Sequence, residues 1–349
     1  MRAAVIRHYH QPWELEELPD PRPGSGQVLL RVLASGMCGT DLHLHHGLFP
    51  LPTPLVAGHE TVGEVVELGP DVTGLRVGDR VGVHWQQQGC GRCGACLLGR
   101  EAECELPHSW MNLGGGNAEL MVAWARGCML LPRGVDCAAA APMFCGGHTV
   151  LSGLRSADPQ PGERIAVLGI GGLGHLAVQL SRALGFETLA LTGQASKMAE
   201  LKGLGADEVL LVGEEPGQAL AAAGGADVVL STTNSGRQVR SVLEALRPGG
   251  RLVDMGVSEG PTGRWCMAPG RRLHASLRRR PDEPASLLTE NWLPGDGSPA
   301  EREHVAQALL LVAEGKVKPV VETHSLAEVN AVRERLAAGQ VRYSAVMVH

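Results

Sequence analysis

Residues 164–174 read RIAVLGIGGLG, and the parsing of this stretch decides the fold of the second half of the chain. RIAVL is a β-branched and aliphatic run of strand length, broken at Gly169. A helical stretch follows, to about Leu184. Each glycine of G-x-G-x-x-G then has a mechanical reason. Gly169 permits the tight turn out of the strand, Gly171 lets the backbone approach a pyrophosphate, and Gly174 lets the helix pack closely on the sheet. With Gly172 and Leu173, the start of that helix offers N–H groups and a positive dipole end to phosphates. Alone, the pattern is an ordinary strand-to-helix turn; its place after a strand and before a helix is the context that dinucleotide binding requires.

Toward the C-terminus the same rhythm continues. Strands are expected at 186–191, 208–212 and 226–231, helices at 195–204 and 236–246, and a turn and strand over 247–257. Alternation at this spacing predicts an α/β, doubly wound parallel sheet. The second strand of such a sheet ends in an acid where NAD is preferred. Here that place holds Thr192, Gly193 and Gln194, with Lys197 the nearby cation, which leans toward NADP. Beyond, helices are expected at 301–314 and 326–338 and strands at 318–321 and 341–348. Residues 264–280 carry six arginines and are read as a solvated loop or insertion.

Toward the N-terminus the pattern changes. QVLLRVL at 27–33, TVGEVVEL at 61–68 and RVGV at 80–83 are short strands, separated by turn chemistry such as PDPRPGSG at 19–26. They predict an antiparallel barrel or sandwich. A chain of 349 residues holding two such patterns is expected to form two domains. Its net charge of −6 gives no electrostatic reason for a nucleic-acid partner. No apolar run approaches the ~18 residues of a membrane span, and MRAAVIRHYHQPW lacks the apolar stretch of a signal peptide. A cytoplasmic location is therefore expected, where the nine cysteines serve as metal ligands or buried thiols rather than disulfides.

Four of them, Cys90, Cys93, Cys96 and Cys104, form C-x2-C-x2-C-x7-C. Four thiolates at this spacing close a tetrahedron around zinc and leave no position for substrate. A dispersed set comprises Cys38 in CGTDLH, His59 in GHETVG and Cys145 in APMFCGGHTV. Two thiolates and an imidazole would leave an open fourth position, as catalytic zinc requires. Spacing alone does not assemble them, because a lone cysteine on an apolar strand is usually a small buried hydrophobe.

The chain resembles the zinc-dependent alcohol dehydrogenases of the medium-chain dehydrogenase/reductase superfamily. The resemblance runs in order through Cys38-Gly39-Thr40-Asp41-Leu42-His43, Gly58-His59-Glu60 with Gly63, Gly78-Asp79-Arg80-Val81, the four-cysteine lobe, Cys145 and GIGGLG. Only about 258–300 falls outside it. It implies a GroES-like β-barrel catalytic domain over 1–150, with the structural zinc lobe at about 86–108. A Rossmann NAD(P)-binding domain over 151–277 would follow, with 278–349 returning to the catalytic domain. It further implies catalytic zinc held in the cleft by Cys38, His59 and Cys145, with Glu60 able to exchange onto the metal. Thr40 would hydrogen-bond the substrate oxygen, His43 would be the outer member of a proton relay, and Thr149 would lie near the nicotinamide. The substrate would be a small alcohol, aldehyde or ketone, and the assembly a homodimer or homotetramer. A polyol- or threonine-type dehydrogenase and a non-catalytic dinucleotide binder are the alternatives. Trp85 and Trp110 are candidates for the pocket wall or for lobe packing. Ser344 stands where the family commonly carries a pyrophosphate-binding arginine, with Arg342 its possible substitute. The arginine-rich segment replaces the apolar approach to the family's subunit-pairing strand.

Overall fold

The computed structural model describes residues 1–48, 51–256, 272–278, 286–293 and 299–349. The chain divides into two units, Met1–Cys145 with Pro294–Ala313 and Pro319–His349, and Gly146–Leu293 with Glu314–Lys318.

The first unit is built on a seven-stranded sheet. Its order is Cys128–Leu130, Arg80–Val83, Glu60–Leu68, Gln27–Met37, Ser344–Val348 and Val321–Ser325, with Leu120–Trp124 also pairing with Gln27–Met37. Neighbours are antiparallel except the last two strands, which are parallel. Val28, Leu30, Val32, Val62, Val65 and Val81 are fully buried, so the β-branched runs face inward as their composition requires. The C-terminal segment is fastened to the N-terminal one through Asn330, whose amide donates to the Trp13 carbonyl and accepts from the Trp13 N–H, both at 2.8 Å.

The expected strand at 318–321 lies instead at Val321–Ser325. Pro319 has no N–H to give to a ladder, so pairing begins only beyond it. The last strand also starts later than 341, at Ser344. Tyr343 sits at φ 70°, a left-handed conformation that an extended ladder does not accommodate.

The second unit is a seven-stranded sheet in the order Glu208–Leu211, Glu187–Thr192, Arg164–Leu168, Ala226–Ser231, Leu246–Asp254, Arg272–Arg278 and Ser286–Leu293. The first five strands pair in parallel, and the last two ladders are antiparallel. A core of Ala166, Leu168, Leu189, Leu191, Leu220, Val229 and Leu252 lies on one side of it. Arg251 crosses from this sheet to the end of the Gly146–Ala157 helix. It is paired with both carboxylate oxygens of Glu163 at 2.7 Å and donates to the carbonyls of Ala157 and Asp158.

Within the arginine-rich segment, Arg272–Arg278 is a strand rather than a solvated loop. The edge at Arg251–Asp254 offers unpaired backbone groups, and this segment takes them up in an antiparallel ladder. The rest of 264–280, including Cys266, lies outside the described residues. Among those residues no helix is long and apolar enough to cross a membrane.

Candidate active site

In the first unit, Cys38, His59, Glu60 and Cys145 each place a donor atom within 4.8 Å of the others. Cys38 follows a long strand and caps the Gly39–His45 helix, its sulfur accepting from the Thr40 N–H at 3.3 Å. The helix thus begins against a sulfur, which favours the thiolate through the exposed N–H groups of the first turn. Asp41 closes the cap by accepting from the Cys38 N–H at 2.9 Å.

His59 Nε2 is 3.3 Å from Cys38 Sγ, and the two sulfurs of Cys38 and Cys145 are 3.9 Å apart. Tetrahedral zinc with bonds of about 2.3 Å to sulfur and about 2.0–2.1 Å to nitrogen spaces its ligands roughly 3.5–3.8 Å apart. The observed separations fit that edge length.

The electrostatics agree with a cation at the centre. Burial, then the Cys38 thiolate, hold the Glu60 carboxyl well above its ordinary range. Asp41 is pushed up to about 6 by burial. For His59 burial works against the charged form, but Cys38, Asp41 and Glu60 outweigh it and raise the imidazole to about 9. A divalent ion relieves this crowding of negative donors, since it takes the place the proton on His59 would otherwise fill. His59 Nδ1 has no hydrogen-bond partner and faces Asp41 Oδ2 at 3.9 Å, both side chains wholly buried. At that distance Asp41 makes no hydrogen bond to the ring, but its negative charge favours a proton on Nδ1 and so leaves Nε2 for a metal.

Asp41 has no role that sequence alone assigns; an acid in the first helical turn, directly after a candidate ligand, is the signal for it. Sequence alone also leaves Gly36 unexplained. Gly36 is the cross-strand partner of Glu60, and a Cβ there would lie 1.9 Å from Glu60 Oε2. Trp85 and Trp110 both pack on His59, with ring centroids 5.0 and 6.0 Å away, and on each other at 5.2 Å. Thr40 is buried and His43 half-buried, three residues apart on one helix face.

The second cysteine set is also assembled. Cys90, Cys93, Cys96 and Cys104 bring all four sulfurs within 4.8 Å, with Cys90–Cys96 at 4.0 Å and Cys93–Cys104 at 3.9 Å. Backbone N–H groups of Arg92 and Cys93 draw the Cys90 thiol down to about 6, whereas burial pushes Cys96 up to about 12. The four sulfurs need a shared cation to be thiolates together. Glu101 braces the lobe, accepting from the Gly89 N–H at 2.9 Å and pairing with Arg126 at 3.1 Å.

In the second unit, Gly169 adopts φ 85°, and a Cβ on Gly174 would lie 2.1 Å from the Gly169 carbonyl oxygen. A Cβ on Gly171 would meet no atom within 4 Å, so the turn leaves open the space a pyrophosphate fills. The Gly172–Ala183 helix starts there, and its first N–H groups have no partner within the helix. His175 lies beneath, fully buried, with Nδ1 2.6 Å from the Gly172 carbonyl oxygen. Lys197 donates to the Ile170 carbonyl at 2.8 Å. Its ammonium is thus drawn into the glycine turn, and Thr192 Oγ1 accepts from the Gln194 N–H at 3.1 Å. Thr149 is buried on the Gly146–Ala157 helix. Ser344 is buried, with its N–H on the Val320 carbonyl, and Arg342 is exposed, with its N–H on Glu322.

Residues 24–133 match the family model of the alcohol dehydrogenase GroES-like domain, and 172–282 that of the zinc-binding dehydrogenases. The chain is 34% identical to an alcohol dehydrogenase of Geobacillus stearothermophilus over 99% of both chains. It is 35% identical to an alcohol dehydrogenase of Moraxella sp. strain TAE123, over 98% of this chain and 97% of the relative. The crystal structure of the alcohol dehydrogenase from the archaeon Aeropyrum pernix superposes with a TM-score of 0.83 at 28% identity, covering the whole of both chains.

Proposed function

The chain belongs to the zinc-dependent alcohol dehydrogenases of the medium-chain dehydrogenase/reductase superfamily, and from that premise we propose how its residues divide the work. It is an oxidoreductase that interconverts an alcohol and its carbonyl compound. Our reading is that Cys38, His59 and Cys145 hold catalytic zinc, that Cys90, Cys93, Cys96 and Cys104 hold structural zinc, and that the substrate is a small primary or secondary alcohol. The observation that carries it is the convergence of two sulfurs and one imidazole at tetrahedral spacing, beside the buried carboxyls of Asp41 and Glu60.

Bound zinc would polarise the substrate oxygen as a Lewis acid, and a nicotinamide dinucleotide would exchange hydride with the substrate carbon. The chain's own residues do the rest. The charge of Asp41, 3.9 Å from Nδ1, favours the tautomer of His59 that ligates through Nε2. The Thr40 hydroxyl takes up the substrate hydroxyl proton as it gives up its own, which reaches His43, one turn along the same helix, directly or through the cofactor ribose hydroxyl, and from there solvent. Trp85 and Trp110 exclude water from the His59 side. Glu60 is the spare donor, able to approach the metal when substrate leaves.

Gly169, Gly171, Gly172, Leu173 and Gly174 cradle the pyrophosphate, and Thr149 lies at the nicotinamide end. NADP is favoured over NAD, because Thr192, Gly193 and Gln194 bring no carboxylate to repel a 2′-phosphate. Lys197 supports this only in part, since its ammonium is engaged by the Ile170 carbonyl. Thiolate sites of this number favour the reducing cytoplasm. The second unit's sheet ends on the edge strand Ser286–Leu293, which supports a homo-oligomer formed by edge pairing.

The test is a panel of alcohols and aldehydes assayed with both cofactors, alongside metal analysis. Two zinc per chain, turnover of simple alcohols and a lower KM for NADP are expected. A Cys145→Ser enzyme with full zinc and unchanged turnover would overturn the ligand set.

A further inference from the structure

One buried ionisable pair in the first unit has no part in the chemistry above. His84 directly follows the strand Arg80–Val83, and its Nδ1 lies 3.3 Å from Glu301 Oε1 in the Pro299–Ala313 helix. Both side chains are fully shielded from solvent. Sequestering a carboxylate and an imidazole is costly unless each satisfies the other. His84 Nε2 has no hydrogen-bond partner among the described residues, so the orientation of the ring rests on Nδ1 and therefore on Glu301.

That ring touches a residue next to one candidate metal ligand and is followed in sequence by a residue packed on another. It meets Phe144 edge-on, with centroids 5.6 Å apart and planes at 71°. Phe144 immediately precedes Cys145 and is tightly enclosed, for a Cβ on Gly82 would lie 1.9 Å from its ring. The next residue in sequence, Trp85, packs against His59 at 5.0 Å.

We propose that Glu301 and His84 are a positioning pair for the catalytic metal ligands. Glu301 fixes the imidazole; the imidazole braces Phe144 and hence Cys145, and through the Trp85 backbone it steadies the indole against His59. The proposal rests on the reading of Cys38, His59 and Cys145 as zinc ligands. It places two specificity-neutral residues, far from each other in sequence, in control of ligand geometry.

The experiment compares purified holoenzyme of the wild type, Glu301→Gln, Glu301→Ala, His84→Phe and the double variant Glu301→Ala/His84→Phe. Release of each zinc to a chelator is timed, and the visible spectrum is recorded after Co2+ exchange at the catalytic site. Glu301→Ala is expected to release the catalytic zinc about tenfold faster or more, the scale seen for partners that orient metal ligands. Its cobalt bands should shift, while release from the four-cysteine lobe stays unchanged. Glu301→Gln keeps an oxygen acceptor for Nδ1–H and should recover most of the wild-type rate and spectrum. The double variant should be no worse than the poorer single one, since the pair acts as a unit.

Wild-type release and spectrum in Glu301→Ala, additive losses, or acceleration of both zincs together would each overturn the proposal. If Glu301→Ala does not accumulate folded, His84→Phe and Glu301→Gln carry the same comparison. A wild-type enzyme with no zinc beyond the lobe and no cobalt bound by the triad would overturn the ligand reading and this inference together. Unchanged variants of a wild type that holds both metals overturn the inference alone.

Discussion

Gly36 and Asp41 are small residues with large consequences for the proposed metal centre. A methyl group at Gly36 would occupy the space of Glu60 Oε2, and a backbone shift at Gly36 moves the strand that leads into Cys38. Gly36→Ala is therefore expected to lower kcat/KM at least tenfold while the four-cysteine lobe keeps its zinc, an outcome that steady-state kinetics and metal analysis together check. Asp41→Asn leaves the helix cap able to form but takes the charge away from His59. About 10- to 100-fold weaker binding of the catalytic zinc is expected, measured by competition with a chelator. The four-cysteine lobe was legible from its spacing, whereas Cys38, His59 and Cys145 were joined only by the resemblance to a known family. Gly36 was not legible: its reason is a side chain on the neighbouring strand, and nothing in SGMCGT announces which residue faces it.

Periodicity and turn residues located the elements well where they carry strong apolar runs. Arg164–Leu168 and Ala226–Ser231 are strands over the limits the sequence suggested. Reading failed where context overrides composition. Arg272–Arg278 has the charge of a solvated segment, yet it is a strand because an open sheet edge supplies hydrogen-bond partners. Arg251 is a comparable case, an arginine in a strand whose side chain is nearly enclosed and paired with Glu163. Replacing Glu163 by Gln leaves that guanidinium without its counter-charge. A loss of about 3 kcal/mol of stability is expected, measured by denaturant unfolding, with the Arg251→Met variant less destabilised than Glu163→Gln. Equal stability of Glu163→Gln and wild type would show that the two carbonyls of Ala157 and Asp158 suffice to hold Arg251.

At the scale of the whole molecule, two histidines held neutral couple stability to pH. Burial draws His175 down to about 4, and burial with the neighbouring Arg333 does the same to His45, whose Nδ1 accepts from Arg333 at 2.9 Å. In the unfolded chain both titrate near 6.5. At these two positions the unfolded state binds more protons between those values, so their contribution to stability falls as pH drops from about 6.5 toward 4. Unfolding free energies across this window should decline less steeply in His45→Gln than in the wild type; parallel slopes would exclude His45 as a contributor. The chain by itself determined the two halves, the glycine turn and the four-cysteine lobe, because glycine turns, thiolates and β-branched runs are constrained by local geometry and by the chemistry of each residue. Only the tertiary structure decided that Cys38, His59 and Cys145 converge, that Gly36 clears room for Glu60, and that Glu301 reaches His84. Those relations join residues tens to hundreds of positions apart, and the pairing of strands and helices that closes such distances is a property of the packed core rather than of any single segment.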